Sequence, residues 1–367
     1  MPTFTSIPSP NNAMTISPLS NDILLLLIPT SLPAGWVENL QAKYPGFEVR
    51  FECTQNADLT LRPMSDVPIH KWDGVTMLVT YTPPPPELVP NVRYVQLLCV
   101  GSDEWRGHPL YENKNVLFCN ASGVQPAQIA EWVIGSLLSA QRRFPRYQAY
   151  MKDGYWERNF DIDVDDCYGY RIGILGYGAI GRQVARLSQA LGMEVYAFTH
   201  RERTTPESRK DATWSQPGQG DPAGLIPTRW FHGSTKDAIN NFLGQDLDVL
   251  VVSLPLTDKT RKLLSHEQFD ILARRHAFVS NVSRGGIVDQ DALIEALETN
   301  KIRGAALDVT EPEPLPKNHP LWTTKNIFIS PHVSWKSRKY WSRVLELTVM
   351  NLDAHAKGKK LFNQVSR

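Results

Sequence analysis

An apolar strand that runs directly into a G-x-G-x-x-G turn and out into a helical pattern leaves a chain few folds to choose from. Residues 171 to 184 of this 367-residue sequence have that form. Ile172, Ile174 and Leu175 make the strand, Gly176, Tyr177, Gly178, Ala179, Ile180 and Gly181 make the turn, and Val184, Leu187 and Leu191 follow at helical spacing. Gly176 permits the tight turn, Gly178 lets the backbone approach a pyrophosphate, and Gly181 lets the helix pack on the strand. The helix amino terminus adds free N–H groups and a partial positive charge that favour phosphate. A lone glycine motif is weak evidence. Its strand-turn-helix setting favours a dinucleotide cradle over a glycine-rich turn that binds nothing.

The next strand, Glu194 to Phe198, bears on which dinucleotide is bound. An NAD-specific site places Asp or Glu at its end, bonded to the ribose 2′-hydroxyl. Here the chain reads Thr199, His200, Arg201, Glu202, Arg203. With no carboxylate to repel it, a 2′-phosphate can take bonds from Thr199 and His200 and charge-assisted bonds from Arg201 or Arg203. NADPH (NADP) is therefore expected, with NADH possible but weaker. The other reading is a solvated basic loop partly neutralised by Glu202.

The length fits two domains of ordinary size. A net charge of +1 removes the electrostatic footprint of a nucleic-acid binder. The basic run Lys357 to Lys360 caps the carboxyl end of a last helix. Cys53, Cys99, Cys119 and Cys167 have neither C-x-x-C spacing nor the density of a disulfide framework, so a reduced, cytoplasmic setting and no metal are expected. The strongest apolar run, Ile23 to Ile28, is too short to span a bilayer and suits a buried parallel strand, so no membrane partner is expected. Residues 1–20, rich in Ser, Pro, Thr and Asn and without Lys or Arg, read as a mobile extension and not as a targeting segment.

Strands are expected at Ile23 to Ile28, Phe47 to Phe51, Gly74 to Val79, Val92 to Leu98 and Val116 to Cys119, with a helix around Trp36 to Tyr44. This is α/β patterning with a parallel sheet. A long helix covers Ala127 to Ala140 and continues to Arg143, with Pro145 as its break. It carries Ile129, Trp132, Val133 and Leu137 on overlapping apolar faces. Such a helix either supports a homodimer or is buried between the two domains of one chain. Beyond the second nucleotide strand, Thr204 to Gly233 has no periodicity and reads as a surface insertion or a mobile lid. Strands resume at Val249 to Leu254, Ala277 to Val282, Gly304 to Leu307 and Ile327 to Ile329, with a helix at Gln290 to Thr299. A final helix, Lys339 to Ala356, returns to the first domain.

Three polar residues follow these later strands, at the carboxyl ends where open parallel sheets bind ligands: Arg284, Glu313 and His332. They suit the reduction of a carbonyl. A hydride arriving at carbon leaves negative charge on oxygen, so a proton donor such as His332 is needed within reach. A carboxylate on the far ring nitrogen orients the ring and favours its protonated form, and Glu311 competes with Glu313 for that role. Arg284 can fork onto a substrate carboxylate and polarise a ketone.

The chain resembles the D-isomer-specific 2-hydroxyacid dehydrogenases, over roughly residues 90 to 352 by motif order. The resemblance rests on the glycine turn, the strand end Ser253, Leu254, Pro255, Leu256 and Thr257, and the segment Asn281 to Gly286. It rests also on Asp308 followed by Glu313 to Pro316, and on Pro331 with His332. It implies Arg284, Glu313 and His332 as the catalytic set and Asp308 as the holder of the nicotinamide carboxamide. Ser253, Leu254, Pro255, Thr260, Val282, Ser283, Arg284 and His332 are expected beside the cofactor. Backbone N–H groups of Val100 and Gly101 are expected on the substrate carboxylate, with Trp335 lining the substrate site. Asn120 to Val124 resembles the family's hinge. Departures are Thr199 in place of the usual Asp, as in NADP-using members of the glyoxylate/hydroxypyruvate reductase-like branch, a longer Thr204 to Gly233 connection, and Trp335 where many members have a small residue. Glu313 argues against the formate dehydrogenase branch.

The expected architecture is α/β, with two doubly wound parallel-sheet domains. A Rossmann-type nucleotide domain (146–334) is inserted into a flavodoxin-like substrate domain (21–145 and 335–367). The expected activity is NADPH-dependent reduction of a 2-keto acid to the D-2-hydroxy acid, in a homodimer. The competing function is a nucleotide-sensing corepressor-like scaffold of the same fold with little turnover.

Overall fold

The computed structural model describes residues 18–158, 164–365 and 367. In chain order its elements are β1 (Ile23–Ile28), α1 (Trp36–Lys43), β2 (Glu48–Cys53), β3 (Met77–Thr80), β4 (Tyr94–Leu97), α2 (Pro109–Glu112) and β5 (Leu117–Cys119). Next come α3 (Pro126–Gln141), α4 (Phe144–Lys152), β6 (Arg171–Leu175), α5 (Ala179–Ala190), β7 (Glu194–Thr199), α6 (Pro206–Arg209) and β8 (Arg229–His232). The remainder are α7 (Lys236–Leu243), β9 (Val249–Val252), α8 (His266–Leu272), β10 (Phe278–Asn281), α9 (Gln290–Glu298), β11 (Gly304–Leu307), β12 (Ile327–Ile329) and α10 (Tyr340–Ala356). They form two units: the chain through Ala121 together with Trp341–Arg367, and Ser122–Tyr340.

The first unit holds a parallel sheet in the order β2-β1-β3-β4-β5, the flavodoxin-like arrangement. Leu24 to Ile28 are fully buried, which is why a continuous apolar run and not an alternating one occupies β1. The segment after Tyr340 completes this unit. Leu347, Thr348, Asn351 and Leu352 are wholly buried, and Asn351 Nδ2 donates to Gln96 Oε1 at 2.9 Å. Leu19 is also fully buried, so the packed chain starts before the expected end of an extension at residue 20; residues 1–17 lie outside the described residues.

The second unit holds seven parallel strands in the order β8-β7-β6-β9-β10-β11-β12, a doubly wound Rossmann sheet whose order reverses at β6 and β9. The ligand-binding crevice of such a sheet lies beyond the carboxyl ends of its strands. All the catalytic candidates follow those ends.

The unit boundaries fall at 121/122 and 340/341, not at 145/146 and 334/335 as read from the sequence. The long helix α3 decides the first. Its Ile129, Ala130, Val133 and Leu137 are buried in the same cluster as Ile172, Ile174 and Val184 of the nucleotide unit. Pro145 does not end that helix either. The break is at Arg143, which adopts a left-handed φ of 56°, and Pro145 sits in the first turn of α4, where its missing N–H costs nothing.

The 204–233 stretch is not a lid. It carries β8, paired in parallel with β7, and a strap bonded to α5. Asp221 is buried and its carboxylate accepts from Tyr177 Oη at 2.8 Å and from the amides of Leu225 and Ile226 at 2.9 and 3.1 Å. The buried Arg182 guanidinium of α5 donates to the carbonyls of Asp221 and Arg209, and Arg186 donates to Gly220 O at 2.7 Å. A buried, hydrogen-bonded polar hub of this kind holds in place a segment with no apolar periodicity of its own.

Candidate active site

The three glycines of the turn do different work. Gly176 has φ +107°, and a Cβ there would stand 2.7 Å from Ser253 O. At Gly181 a Cβ would lie 2.3 Å from Gly176 O and 2.9 Å from Ile174 Cγ2, so helix and strand close onto it. At Gly178, which caps α5, a Cβ would meet nothing within 4 Å. The turn therefore leaves open space in front of a twelve-residue helix amino terminus, as a pyrophosphate cradle requires, and the residues present fit a dinucleotide. Ala179 and Ile180 open the helix.

The Tyr177 side chain does not face this space. It is buried against Trp230, edge to face at 5.0 Å, and its hydroxyl is bonded to Asp221. Burial and the adjoining carboxylate push its phenol well above the ordinary tyrosine value. Only its backbone remains for a ligand.

At the end of β7 the basic cluster divides. Arg201 and His200 are exposed. Thr199 is nearly buried and its hydroxyl donates to Arg201 O at 2.6 Å, shaping the turn. Arg203 is turned inward, donating to the carbonyl of Ser208, with its Nε buried and without a partner. The strap thus takes one donor of the Arg203 guanidinium.

The loop after β9 is held by its own residues. Ser253 Oγ donates to Gly176 O at 2.7 Å, and Thr260 Oγ1 donates to Pro255 O at 2.8 Å and accepts from the Thr257 amide at 2.8 Å. Thr260 is in this way part of the loop, in which Leu254 is half-buried and Pro255 exposed. After β10, Val282 and Ser283 are buried, and Ser283 Oγ donates to Asn281 Oδ1 at 2.9 Å.

Arg284 and Glu313 are brought near each other by Gly285, where a Cβ would stand 2.0 Å from Thr310 C. Only glycine allows these loops to touch. Glu313 Oε2 is 2.8 Å from His332 Nδ1, and Glu313 Oε1 accepts from the Thr310 amide at 3.1 Å. Burial pushes the Glu313 carboxyl up. The hydrogen bond and charge of His332, the Thr310 amide and the Arg284 charge outweigh it and hold the group below its ordinary value. Glu311 is engaged elsewhere, with Arg261 Nη1 at 2.7 and 2.9 Å. Between the two acids, only Glu313 reaches the ring.

His332 adopts a left-handed φ of 53°, which costs a non-glycine residue about 1–2 kcal/mol. Asp308, 2 % exposed, offsets that. Its carboxylate accepts from Ser330 Oγ at 2.6 Å, Val333 N at 2.8 Å, Ser334 N at 3.0 Å and the Ser334 hydroxyl, while its carbonyl accepts from His332 N at 2.8 Å. Hydrogen bonds to a charged group are each worth about 1.5–3 kcal/mol, so the clamp exceeds the strain. Trp335 Nε1 donates to His332 O at 3.0 Å, which commits the indole N–H to the same turn. The serines at 330 and 334 escaped sequence reasoning, although S-P-H-x-S one strand beyond a buried Asp is a signal for such a clamp.

Val100 and Gly101 belong to the first unit, just beyond β4, and are half-buried. Their carbonyls accept from Asn120 Nδ2 and Cys99 Sγ, each at 3.1 Å. Among the described residues no helix is long and apolar enough to cross a membrane.

A Rossmann sheet with this glycine turn, and a His-carboxylate pair beyond its strand ends, defines an NAD(P)-dependent dehydrogenase. The D-isomer specific 2-hydroxyacid dehydrogenase NAD binding domain matches residues 134–217 and 230–334, and the chain belongs to this family. It is 30% identical to a glyoxylate reductase of Aeropyrum pernix, over 76% of this chain and 77% of that protein. It is likewise 30% identical to a glyoxylate reductase/hydroxypyruvate reductase of Mus musculus, over 74% and 76%. A crystal structure of a D-isomer specific 2-hydroxyacid dehydrogenase from Xanthobacter autotrophicus Py2 in complex with NADPH and MES superposes with a TM-score of 0.67 at 26% identity. It covers 93% of this chain and 98% of that one.

Proposed function

We propose that the protein reduces a 2-keto acid to the D-2-hydroxy acid with NADPH, and that His332 is the proton donor. The observation that carries this reading is the 2.8 Å contact between His332 Nδ1 and Glu313 on a loop packed against Arg284. When bound, the nicotinamide cofactor supplies the hydride. As charge grows on the substrate oxygen, Nε2–H of the His332 imidazolium donates to it. Nδ1–H is held by Glu313, which orients the ring. Arg284 forks onto the carboxylate of the keto acid and polarises its ketone, and the amides of Val100 and Gly101 are assigned to the same carboxylate. Asp308, by the resemblance to the family, would hold the nicotinamide carboxamide. Trp335 would limit the volume offered to the side chain of the acid.

NADPH is favoured over NADH by Arg201 and His200, which stand exposed beside Thr199 with no carboxylate at the strand end. Turnover of glyoxylate, hydroxypyruvate, phenylpyruvate and branched 2-keto acids, with each cofactor, tests the reading. His332→Ala is expected to abolish reduction while the cofactor dissociation constant stays nearly intact, because the donor acts mainly in the transition state. A native protein that binds NADPH and turns over none of these acids would refute it in favour of a nucleotide-sensing role.

A homodimer is the second part of the proposal, and its support shifts from α3 to the segment that follows. The α3 residues Ile129, Val133 and Leu137 are already buried within their own unit. By contrast α4 buries none of its residues, and it and the turn after it expose Phe144, Tyr147, Met151, Tyr155 and Trp156. A nine-residue helix with no buried face is not stable in water by itself. The same unit carries a groove of about 1090 Å³ that includes Trp132, Phe278 and Phe328 beside Arg274, Arg275 and Arg303. In a two-fold pair the aromatic arm of each protomer covers this groove on the other.

A further inference from the structure

We propose that Tyr177 is a positioning residue for the pyrophosphate of a dinucleotide: its hydroxyl, tied to Asp221 of the strap, holds the glycine turn in its binding conformation before a ligand arrives. This rests on the dinucleotide cradle and not on the reductase reading. Gly176 and Gly178 flank Tyr177, and glycine loses more conformational freedom on ordering than any other residue. A turn built as Gly-Tyr-Gly therefore has one side chain by which the rest of the fold can hold it. That side chain is buried and engaged along its whole length. Its ring meets Trp230 of β8 edge to face at 5.0 Å, its face carries the Arg182 guanidinium 4.9 Å from the ring centre, and its hydroxyl donates to Asp221 Oδ2 at 2.8 Å.

The anchor is in turn fastened to the helix that the turn opens. Arg182 of α5 donates to the carbonyls of Asp221 and Arg209 and faces Asp211 at 3.4 Å, Arg186 Nε donates to Gly220 O at 2.7 Å, and Gln183 Oε1 accepts from the Gly220 amide at 2.6 Å. The strap also meets the chain ahead of α3. At Gly123, with φ +83°, a Cβ would stand 1.6 Å from Trp214 O. The Phe198 carbonyl and the Ser253 hydroxyl hold Gly176, the first residue of the turn, so its centre depends on Tyr177. A ligand that needs the ordered turn binds with an apparent constant weakened by the fraction of molecules in which the turn is ordered. Removing the hydroxyl lowers that fraction, and one factor then applies to every ligand that carries the pyrophosphate.

The test uses the full-length protein with Tyr177→Phe, Asp221→Ala and the double variant, well below their melting temperatures. Isothermal titration gives Kd for NADPH, NADH, ADP-ribose and adenosine 2′-monophosphate, and amide exchange over Gly176 to Gly178 is followed in ligand-free protein. Tyr177→Phe is expected to raise Kd for NADPH, NADH and ADP-ribose by one common factor of about three to ten, the worth of an ordinary hydrogen bond. Adenosine 2′-monophosphate, which has no pyrophosphate, should stay within about twofold of native, and amide exchange of the turn should quicken. In the Asp221→Ala background the loss of the hydroxyl should have no further effect on Kd, because its partner is already gone. If Asp221→Ala does not fold, Tyr177→Phe carries the test alone. Dissociation constants that stay native while the melting temperature falls would overturn the proposal and leave the bond a structural one. A loss confined to NADPH, or one shared equally by adenosine 2′-monophosphate, would overturn it as well. A chain that binds these dinucleotides but reduces no keto acid would refute the reductase reading and leave the same constants to decide the role of Tyr177.

Discussion

Asp221→Ala tests whether the strap is structural. The substitution removes the acceptor for the Tyr177 hydroxyl and for the amides of Leu225 and Ile226. The hydroxyl sits in a buried site and has no route to water, so leaving it unpaired costs about 1–3 kcal/mol. The two amides belong to exposed Leu225 and half-buried Ile226, which water can reach, and together they add on the order of 1 kcal/mol. The sum, about 2–4 kcal/mol, corresponds to a drop in melting temperature of roughly 5–12 °C for a unit of this size. Tyr177→Phe removes only the hydroxyl and should cost about 1 kcal/mol. Calorimetry gives the first quantity. Trypsin cleavage after Arg209 or Lys210 gives the second, since their loop is tied to the hub through Arg182. A melting temperature for Asp221→Ala within about 1 °C of native, with no new tryptic site, would refute the reasoning and return the insertion to a loosely attached surface loop.

Arg201→Ala should raise KM for NADPH far more than KM for NADH; equal changes would remove the 2′-phosphate assignment. Glu313→Gln should weaken reduction, because the carboxylate that holds the His332 ring is gone. In the native protein the depressed Glu313 value means that its pairing with His332 is complete above the ordinary carboxylate range and is lost as pH falls through the depressed value. The acid limb of the pH–rate profile should therefore vanish in the glutamine variant, and a native-like profile would move the role away from Glu313. Sedimentation at micromolar concentration should give a dimer, and Met151→Glu with Trp156→Glu should return it to a monomer. A native species near 41.4 kDa would reject the pair.

Most of the second sheet was legible because its strands are either continuous apolar runs, as at Val249 to Val252, or lead into glycine turns, and because Arg284, Glu313 and His332 each follow a strand end. Between Glu311 and Glu313 the sequence was silent. The choice depends on Arg261, fifty positions away, taking Glu311. β8 was not seen because Arg229 to His232 is an edge strand with two exposed ends and a Pro- and Gly-rich approach, so it lacks a periodic signal. The inward turn of Arg203 and Tyr177 was hidden for the same reason: their partners, Ser208 and Asp221, lie in a stretch that looks irregular until its buried carboxylate is known. The domain boundary was misplaced because an apolar helix does not announce which core it joins.

The division of the chain also has a bearing on its synthesis. The unit from Ser122 to Tyr340 is continuous, so every strand and helix it needs has emerged before the segment beyond Tyr340 is made. The other unit has its five strands early but lacks the buried Leu347, Thr348, Asn351 and Leu352 until later. A nascent chain therefore leaves the surface that those residues cover open to solvent or to chaperones while the second unit folds. Once the second unit has formed, the returning helix is attached through a compact body and not through a long flexible loop, and the entropy of closing the first unit falls accordingly.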